Sequence, residues 1–297
     1  MRKAFLQLHV AVLLAGLTGI LGRLIDLNEG LLVWYRLMIT AVTLWVLFYF
    51  TKKIQRISFR EIGKITGVGV IAALHWVTFF GSIKYSNVSV GVVCFSAIGF
   101  FTAIFEPLIT RKRINWVELL LGLITIAGIS LIFHFDSRYK TGIIVGLISA
   151  FLGCLFPIFN RQLLQKHTPE TVTLYELSGG FLFLCILLPF YLQYFPPVSI
   201  LPTWGDLGWL LILSWLCTVW AFKLSMGALQ KISAFTVNLS YNLEPLYSIA
   251  LAFLLFREDK QLSSTFYIGL LLIIISVVLQ SWFFYRAHKR NTVTLAG

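Results

Sequence analysis

Seven ionisable side chains interrupt otherwise apolar runs: Arg36, His75, Glu106, Glu118, Glu176, Lys223 and Glu244. A charge within hydrocarbon costs about 2.5–3.5 kcal/mol on insertion scales, so each needs a partner or a task. The chemistry open to them is binding and proton movement. A guanidinium or ammonium meets an anion, a carboxylate meets a cation or takes a proton, and an imidazole titrates near neutral pH. No cluster of catalytic acids or histidines gathers near one boundary, so a membrane-embedded enzyme is not expected. A metal site is not expected either, because no second histidine lies three or four residues from His75. No cofactor is implied.

Each residue carries two readings. His75, in "LHWVTFF" (Leu74 to Phe80), is either a neutral ring bonded to a neighbouring helix or a cavity-lining group that binds substrate or carries a proton. Lys223 either snorkels toward the near end of its span or faces a cavity and meets an acid or an anionic substrate group. At Glu244–Pro245 the proline removes a backbone donor and frees the carbonyl of Tyr241. A carboxylate at such a break, beside Tyr241 and Asn242, is what a binding site at a discontinuous helix uses; the alternative is a kink whose acid pairs only for structure. The candidate cavity residues are therefore His75, Trp76, Lys223, Tyr241, Asn242 and Glu244, with aromatic walls suited to a substrate with an apolar part. Arg36 and Glu176, early in their spans, are candidates for separate gates or for interfacial anchors, while Pro157 and Pro245 are candidate kinks. Glu106 reads as an interfacial partner of the basic loop at Arg111, and Glu118 as a charge favoured at a helix start.

Those residues must be held by membrane-spanning helices. Of 297 residues, 58% are apolar and 12% charged, against roughly 25% charged in soluble domains. Ten runs are apolar enough to cross a core roughly 30 Å thick. They are Phe5–Gly22, Leu31–Phe50, Ile65–Ser82, Val88–Thr110, Val117–Phe133, Gly142–Phe159, Val172–Gln193, Leu207–Ala228, Ser233–Phe256 and Thr265–Phe284. The first is read as a retained span rather than a cleaved signal. The net charge of +12 sorts by side rather than marking a nucleic-acid surface. With the N-terminus inside, sixteen lysines and arginines fall in inner segments, and only Arg23, Lys84, Arg138, Lys140, Arg257 and Lys260 fall outside. That bias places both termini in the cytoplasm. Cys94, Cys154, Cys185 and Cys217 all lie within spans and read as small core residues. Glycines at Gly16, Gly19 and Gly22, and at Gly142, Gly146 and Gly153, allow close helix packing.

Compared with itself at a shift of about 146 residues, the chain aligns "SIKYSNVSVG" (Ser82 to Gly91) with "ALQKISAFTV" (Ala228 to Val237). "RKRINWVELLLG" falls on "REDKQLSSTFYIGL" with a slip of one or two residues. Five spans per half is odd, so the second half must lie inverted, giving halves 1–135 and 136–297 around a central cavity. That all-α architecture argues for transport by alternating access.

The five-plus-five layout, "WYRL" (Trp34 to Leu37), the turns "IKYSNVSVG" and "LQKISAFT", "NLEPLYSI" (Asn242 to Ile249) and "LLFRED" resemble the drug/metabolite transporter superfamily, EamA type. The resemblance runs from about Leu8 to Trp282. It implies ten helices around a cavity and export of small metabolites such as amino acids. One departure is Lys112, where that family often has a glutamate and where the second half keeps Glu258. The expectation is a secondary exporter of the inner or plasma membrane for a small amphipathic metabolite. Protons are a candidate coupling ion through Glu244 or His75, with passive exchange the alternative. No phosphate-binding G-x-x-x-x-G-K-[ST] motif appears, so ATP is not the direct energy source. The competing reading is a lipid translocase or channel-like facilitator.

Overall fold

The computed structural model describes residues 2–135, 137–241 and 243–294, and all regular structure among them is helical. The helices are α1 (Arg2–Leu24), α2 (Glu29–Phe50), α3 (Phe59–Lys84), α4 (Val88–Phe95), α5 (Ile98–Thr110), α6 (Trp116–Phe135) and α7 (Lys140–Leu163). They continue with α8 (Pro169–Tyr194), α9 (Trp204–Ser214), α10 (Ala221–Leu229), α11 (Ala234–Tyr241), α12 (Glu244–Phe256) and α13 (Ser264–Thr294). A π-helical turn, Trp215–Trp220, joins α9 to α10.

Seven helical runs are long and apolar enough to cross a membrane, including Val88–Thr110 and Trp204–Leu229 taken as continuous rods. Three more apolar helices are shorter: Trp116–Ile132, Glu244–Phe256 and Ser264–Leu279. The protein is thus a multi-pass helical membrane protein. Several helices start earlier than hydropathy predicts, because polar caps extend them into water. Ser58 accepts from the Glu61 amide and opens α3 six residues before Ile65. Thr168 caps α8, whose first residue, Pro169, has no amide to leave unsatisfied. Thr203 and Asp206 form a reciprocal capping box at α9.

Two spans are broken in the middle. α4 ends at Phe95 and α5 starts at Ile98; α11 ends at Tyr241 and α12 starts at Glu244. All four helix boundaries recur at a spacing of 146 residues, as do the left-handed residues that end the two runs, Arg111 (φ 55°) and Arg257 (φ 55°). Pro245 lies in the first turn of α12, where a missing N–H costs nothing.

α3 runs through the interior, packed on α7 and α8, while α6 and α13 pair with each other. Close packing depends on glycine at the α3/α8 crossing, where a Cβ on Gly69 would lie 2.0 Å from the Glu176 carbonyl oxygen.

Candidate functional site

A narrow cavity of about 90 Å³ lies between α1, α2, α3, α7, α10 and α12. Arg36, His75, Trp76, Pro157, Tyr241 and Glu244 all line it. Asn242 lies outside the described residues. Ligand pockets usually begin near roughly 300 Å³, so this cavity is smaller than most.

Arg36 is 2% exposed and is held by the π-turn. A π-turn widens the helix and shifts its hydrogen-bond partners, and such turns are frequent at functional sites. Here the Thr218 hydroxyl donates to the Leu213 carbonyl five residues back (2.8 Å) and accepts from Arg36 Nε at 2.8 Å. Arg36 Nη2 donates to the Cys217 carbonyl at 3.4 Å, and Ser214 Oγ donates to the Arg36 carbonyl at 3.2 Å. The guanidinium carbon lies 4.1 Å from the centroid of the Trp76 ring. Nη1 is buried and has no partner among the described residues. The sequence reading offered Arg36 as a gate or an interfacial anchor; the structure places it in the cavity wall. Thr218 was missed there, its only signal being a hydroxyl inside "WLCTVW".

Glu244, 4% exposed, brings a carboxylate to the same cavity at the start of α12. No ion pair joins it to Arg36 among the described residues. Pro245, in the first turn of α12, has no amide to leave unsatisfied there.

His75 bonds a neighbouring helix and also lines the cavity. Its Nδ1 lies 3.0 Å from the Ser149 carbonyl and 2.9 Å from Ser149 Oγ, and the Ser149 hydroxyl is also 3.1 Å from the His75 carbonyl. The ring packs on Phe95 and Phe156, with centroids at 5.2 and 5.6 Å. Gly153 makes room for it, since a Cβ there would sit 3.2 Å from the imidazole. Phe222 stacks parallel to Phe156 and meets Trp76 edge-on, completing an aromatic wall.

Pro157 lines the cavity one turn before Asn160, which also lines it. Asn160 Nδ2 donates to Glu176 Oε1 at 3.0 Å. Glu176 is 0% exposed, so it is neither at an interface nor at a gate mouth. Its place early in a span misled because α8 begins at Pro169, ahead of the apolar run, which carries Glu176 inward.

Lys223 does not line the central cavity. It faces a second cavity of about 350 Å³ with Gln7, Lys53, Glu170 and Thr173. The repeat shift places Ala221, not Lys223, opposite His75, and Ala221 does line the cavity. Two residues further on, a helix of 3.6 residues per turn has rotated about 200°, which turns Lys223 to the far face.

The two ends of the bundle are closed differently. At one end Lys84 Nζ donates to the Ile25 carbonyl (2.9 Å) and Asp206 accepts from the Asp26 amide (2.8 Å). Tyr85 donates to Glu29 at 2.6 Å and Tyr191 donates to the same oxygen. Burial, and then the bond to Glu29, push the Tyr85 phenol up to about 12, so it remains a neutral donor. Glu258, buried, accepts from the first amides of α4, Val88 N (3.0 Å) and Ser89 N (2.8 Å), and from Ser89 Oγ (2.6 Å). At the other end Arg161 donates to the carbonyls of Leu229 and Ile232. There Lys112, the counterpart of Glu258, borders a cavity of about 270 Å³ with Glu106, Arg113, Glu118 and Ser233, the residue before α11.

The EamA-like transporter family model matches residues 2–134 and 140–282. The chain belongs to the EamA-like transporter family. This EamA-like protein is 24% identical over 246 residues to an uncharacterized transporter of Archaeoglobus fulgidus, covering 78% of this chain and 81% of the relative. It is 25% identical over 162 residues to an uncharacterized transporter of Haemophilus influenzae, covering 52% of this chain and about half (53%) of that relative. A Synechocystis relative, also an uncharacterized transporter, is 24% identical over 67% of this chain and 59% of its own length. One solved crystal structure aligns over 97% of this EamA-like chain and 99% of its own, with a TM-score of 0.68 at 15% identity, a likeness of fold alone.

Proposed function

We propose that the protein is a secondary exporter that moves a small zwitterionic compound with an apolar body, an amino acid or close analogue, by alternating access. The observation that carries this is the pairing of Arg36 and Glu244 in one aromatic-walled cavity without an ion pair between them. Opposite charges held apart in a low-dielectric site attract a ligand that bears both. The unpartnered Nη1 of Arg36 offers a donor to a carboxylate, Glu244 an acceptor to an ammonium, and Trp76, Phe156 and Phe222 a surface for the apolar part.

The layout that suits this function has ten crossings in two inverted halves, 1–135 and 136–297, with both termini cytoplasmic. Three observations support it: the 146-residue recurrence of α4 and α5 in α11 and α12, the two separate stretches of family match, and the sixteen-to-six bias of basic residues. On this topology the end closed by Glu258 and Glu29 is the outer one.

The test compares spent medium from cells expressing the wild type, Glu244→Gln or Arg36→Met, by untargeted mass spectrometry. A class of zwitterions enriched by the wild type alone is the expected result. Undiminished export by Glu244→Gln would remove the acid from the path.

A further inference from the structure

Glu176 and Asn160 form a polar pair whose hydrogen bonding is incomplete as drawn from heavy atoms. Asn160 Nδ2 supplies one bond, to Glu176 Oε1. Glu176 Oε2 and Asn160 Oδ1 are both buried acceptors with no donor among the described residues. An ionised carboxylate in that position would be a buried charge served by a single amide, and burial of an uncompensated charge costs several kcal/mol. One proton on Oε2 removes the uncompensated charge and turns that oxygen into a donor, while the Asn160 amide N–H continues to donate to Oε1.

The surroundings offer no cation to take the proton's place. α3 meets α8 here through Thr66, Gly69 and Ala73, none titratable. α7 contributes Asn160. On α10 the nearest candidate is Lys223, which instead faces the second cavity with Glu170 and Thr173. From α2, Trp45 reaches Ser178 on α8, and Tyr175 on α8 is spent on the Gln55 carbonyl.

Asn160 also lines the central cavity, one turn after Pro157, which lies inside α7. We infer that Glu176 is a proton-binding site connected to the substrate cavity through Asn160, and that it is the carboxyl through which export is coupled to protons. This rests on the exporter reading above and deepens it. The step involves no covalent change to substrate. When the cavity admits water from one side, Asn160 parts from the acid and the Oε2 proton passes to that water, leaving a carboxylate. When the cavity opens to the other side, a hydronium returns a proton to Oε2 and the Asn160 bond to Oε1 re-forms.

The deciding experiment is infrared difference spectroscopy of the full-length protein in lipid bilayers in D2O, across a series from mildly acidic to alkaline buffer. It needs no substrate, so its outcome is separable from failure of the exporter reading. A carbonyl stretching band of a protonated carboxylic acid that fades as the buffer becomes alkaline is expected in the wild type. The band should be lost in Glu176→Gln, be retained in Glu244→Gln, and move to higher frequency in Asn160→Leu, where the carbonyl loses its donor. The Asn160→Leu arm keeps the acid and so decides the matter even if Glu176→Gln folds poorly. A Glu176 band that stays constant across the series would make the residue a permanently neutral packing group and overturn the proposal. Identical spectra from wild type and Glu176→Gln would place the titrating acid elsewhere and overturn it equally.

Discussion

Replacing Glu258 by glutamine should loosen one end of the bundle by a calculable amount. The carboxylate accepts two backbone N–H groups from the first turn of α4 and one hydroxyl, over 2.6–3.0 Å, at 2% exposure. Glutamine keeps one acceptor oxygen and turns an NH2 toward groups that are themselves donors. The loss is one charge-assisted hydrogen bond, about 1.5–3 kcal/mol, together with the favourable placement of negative charge at a helix start, about 0.3–1 kcal/mol. If these contacts break when that end opens, the closed-to-open ratio falls by about 2–4 kcal/mol, or about 30- to 700-fold at 1.4 kcal/mol per decade. Cys217, on the cavity wall, reports the opening in a variant whose other three cysteines are replaced by serine or alanine. Its alkylation by a membrane-impermeant maleimide, added outside intact cells, should accelerate in Glu258→Gln. An unchanged rate would refute the reasoning, for it would mean that Glu258 caps α4 in every form and closes nothing. Lys112→Glu is the reciprocal case. A carboxylate placed beside Ser233 at the start of α11 should slow labelling of Cys217 in inside-out vesicles.

Thr218→Val removes both the acceptor for Arg36 and the bond that stabilises the π-turn, so a loss of about 1–3 kcal/mol should appear as a lowered midpoint of thermal unfolding in detergent. Gly69→Ala forces a Cβ against the Glu176 carbonyl and should exceed the usual overpacking cost of about 1–3 kcal/mol, seen as loss of monodisperse protein on size exclusion. Gly67→Ala, with open space around the added Cβ, should instead be neutral or stabilise by up to about 1 kcal/mol through helix propensity. Lys223→Met should leave export intact in the spent-medium comparison while Arg36→Met abolishes it, because only Arg36 lines the central cavity.

The spans were legible because hydropathy is a property of long windows, and the breaks at Ser96–Ala97 and 242–243 were half legible because only the second carries a proline. Glu244, His75 and Trp76 could be named from sequence as cavity residues because a polar group in an apolar run has few alternatives to a cavity. Lys223 could not be told apart from them. Which face of a helix a residue occupies depends on rotation, and an error of two positions in the repeat register reverses it. Arg36 misled for another reason. Its cavity position depends on a π-turn in a helix about 180 residues away in sequence, and nothing local in "WYRL" reports that. Asn160 and Glu176 are only 16 residues apart, yet their contact depends on two antiparallel helices joined by a short turn, which periodicity does not align to the residue.

The broken spans explain how two access routes can share one site. α4 packs on α12 toward one end of the bundle, and α5 packs on α11 toward the other. The two breaks lie between these contacts, and Glu244 is the first residue after the second break. Parting α4 from α12 opens a path on one side; parting α5 from α11 opens a path on the other. The first contact is strapped by Glu258 bonding the start of α4, whereas the second has Lys112 beside a cavity of about 270 Å³. A cation cannot accept from the amides of a helix start, so Lys112 does not supply at the second contact the bonds that Glu258 supplies at the first. A ligand held between Arg36 and Glu244 sits at the fulcrum of both movements. It stays within reach of either path without leaving its contacts, which is the geometric condition for alternating access.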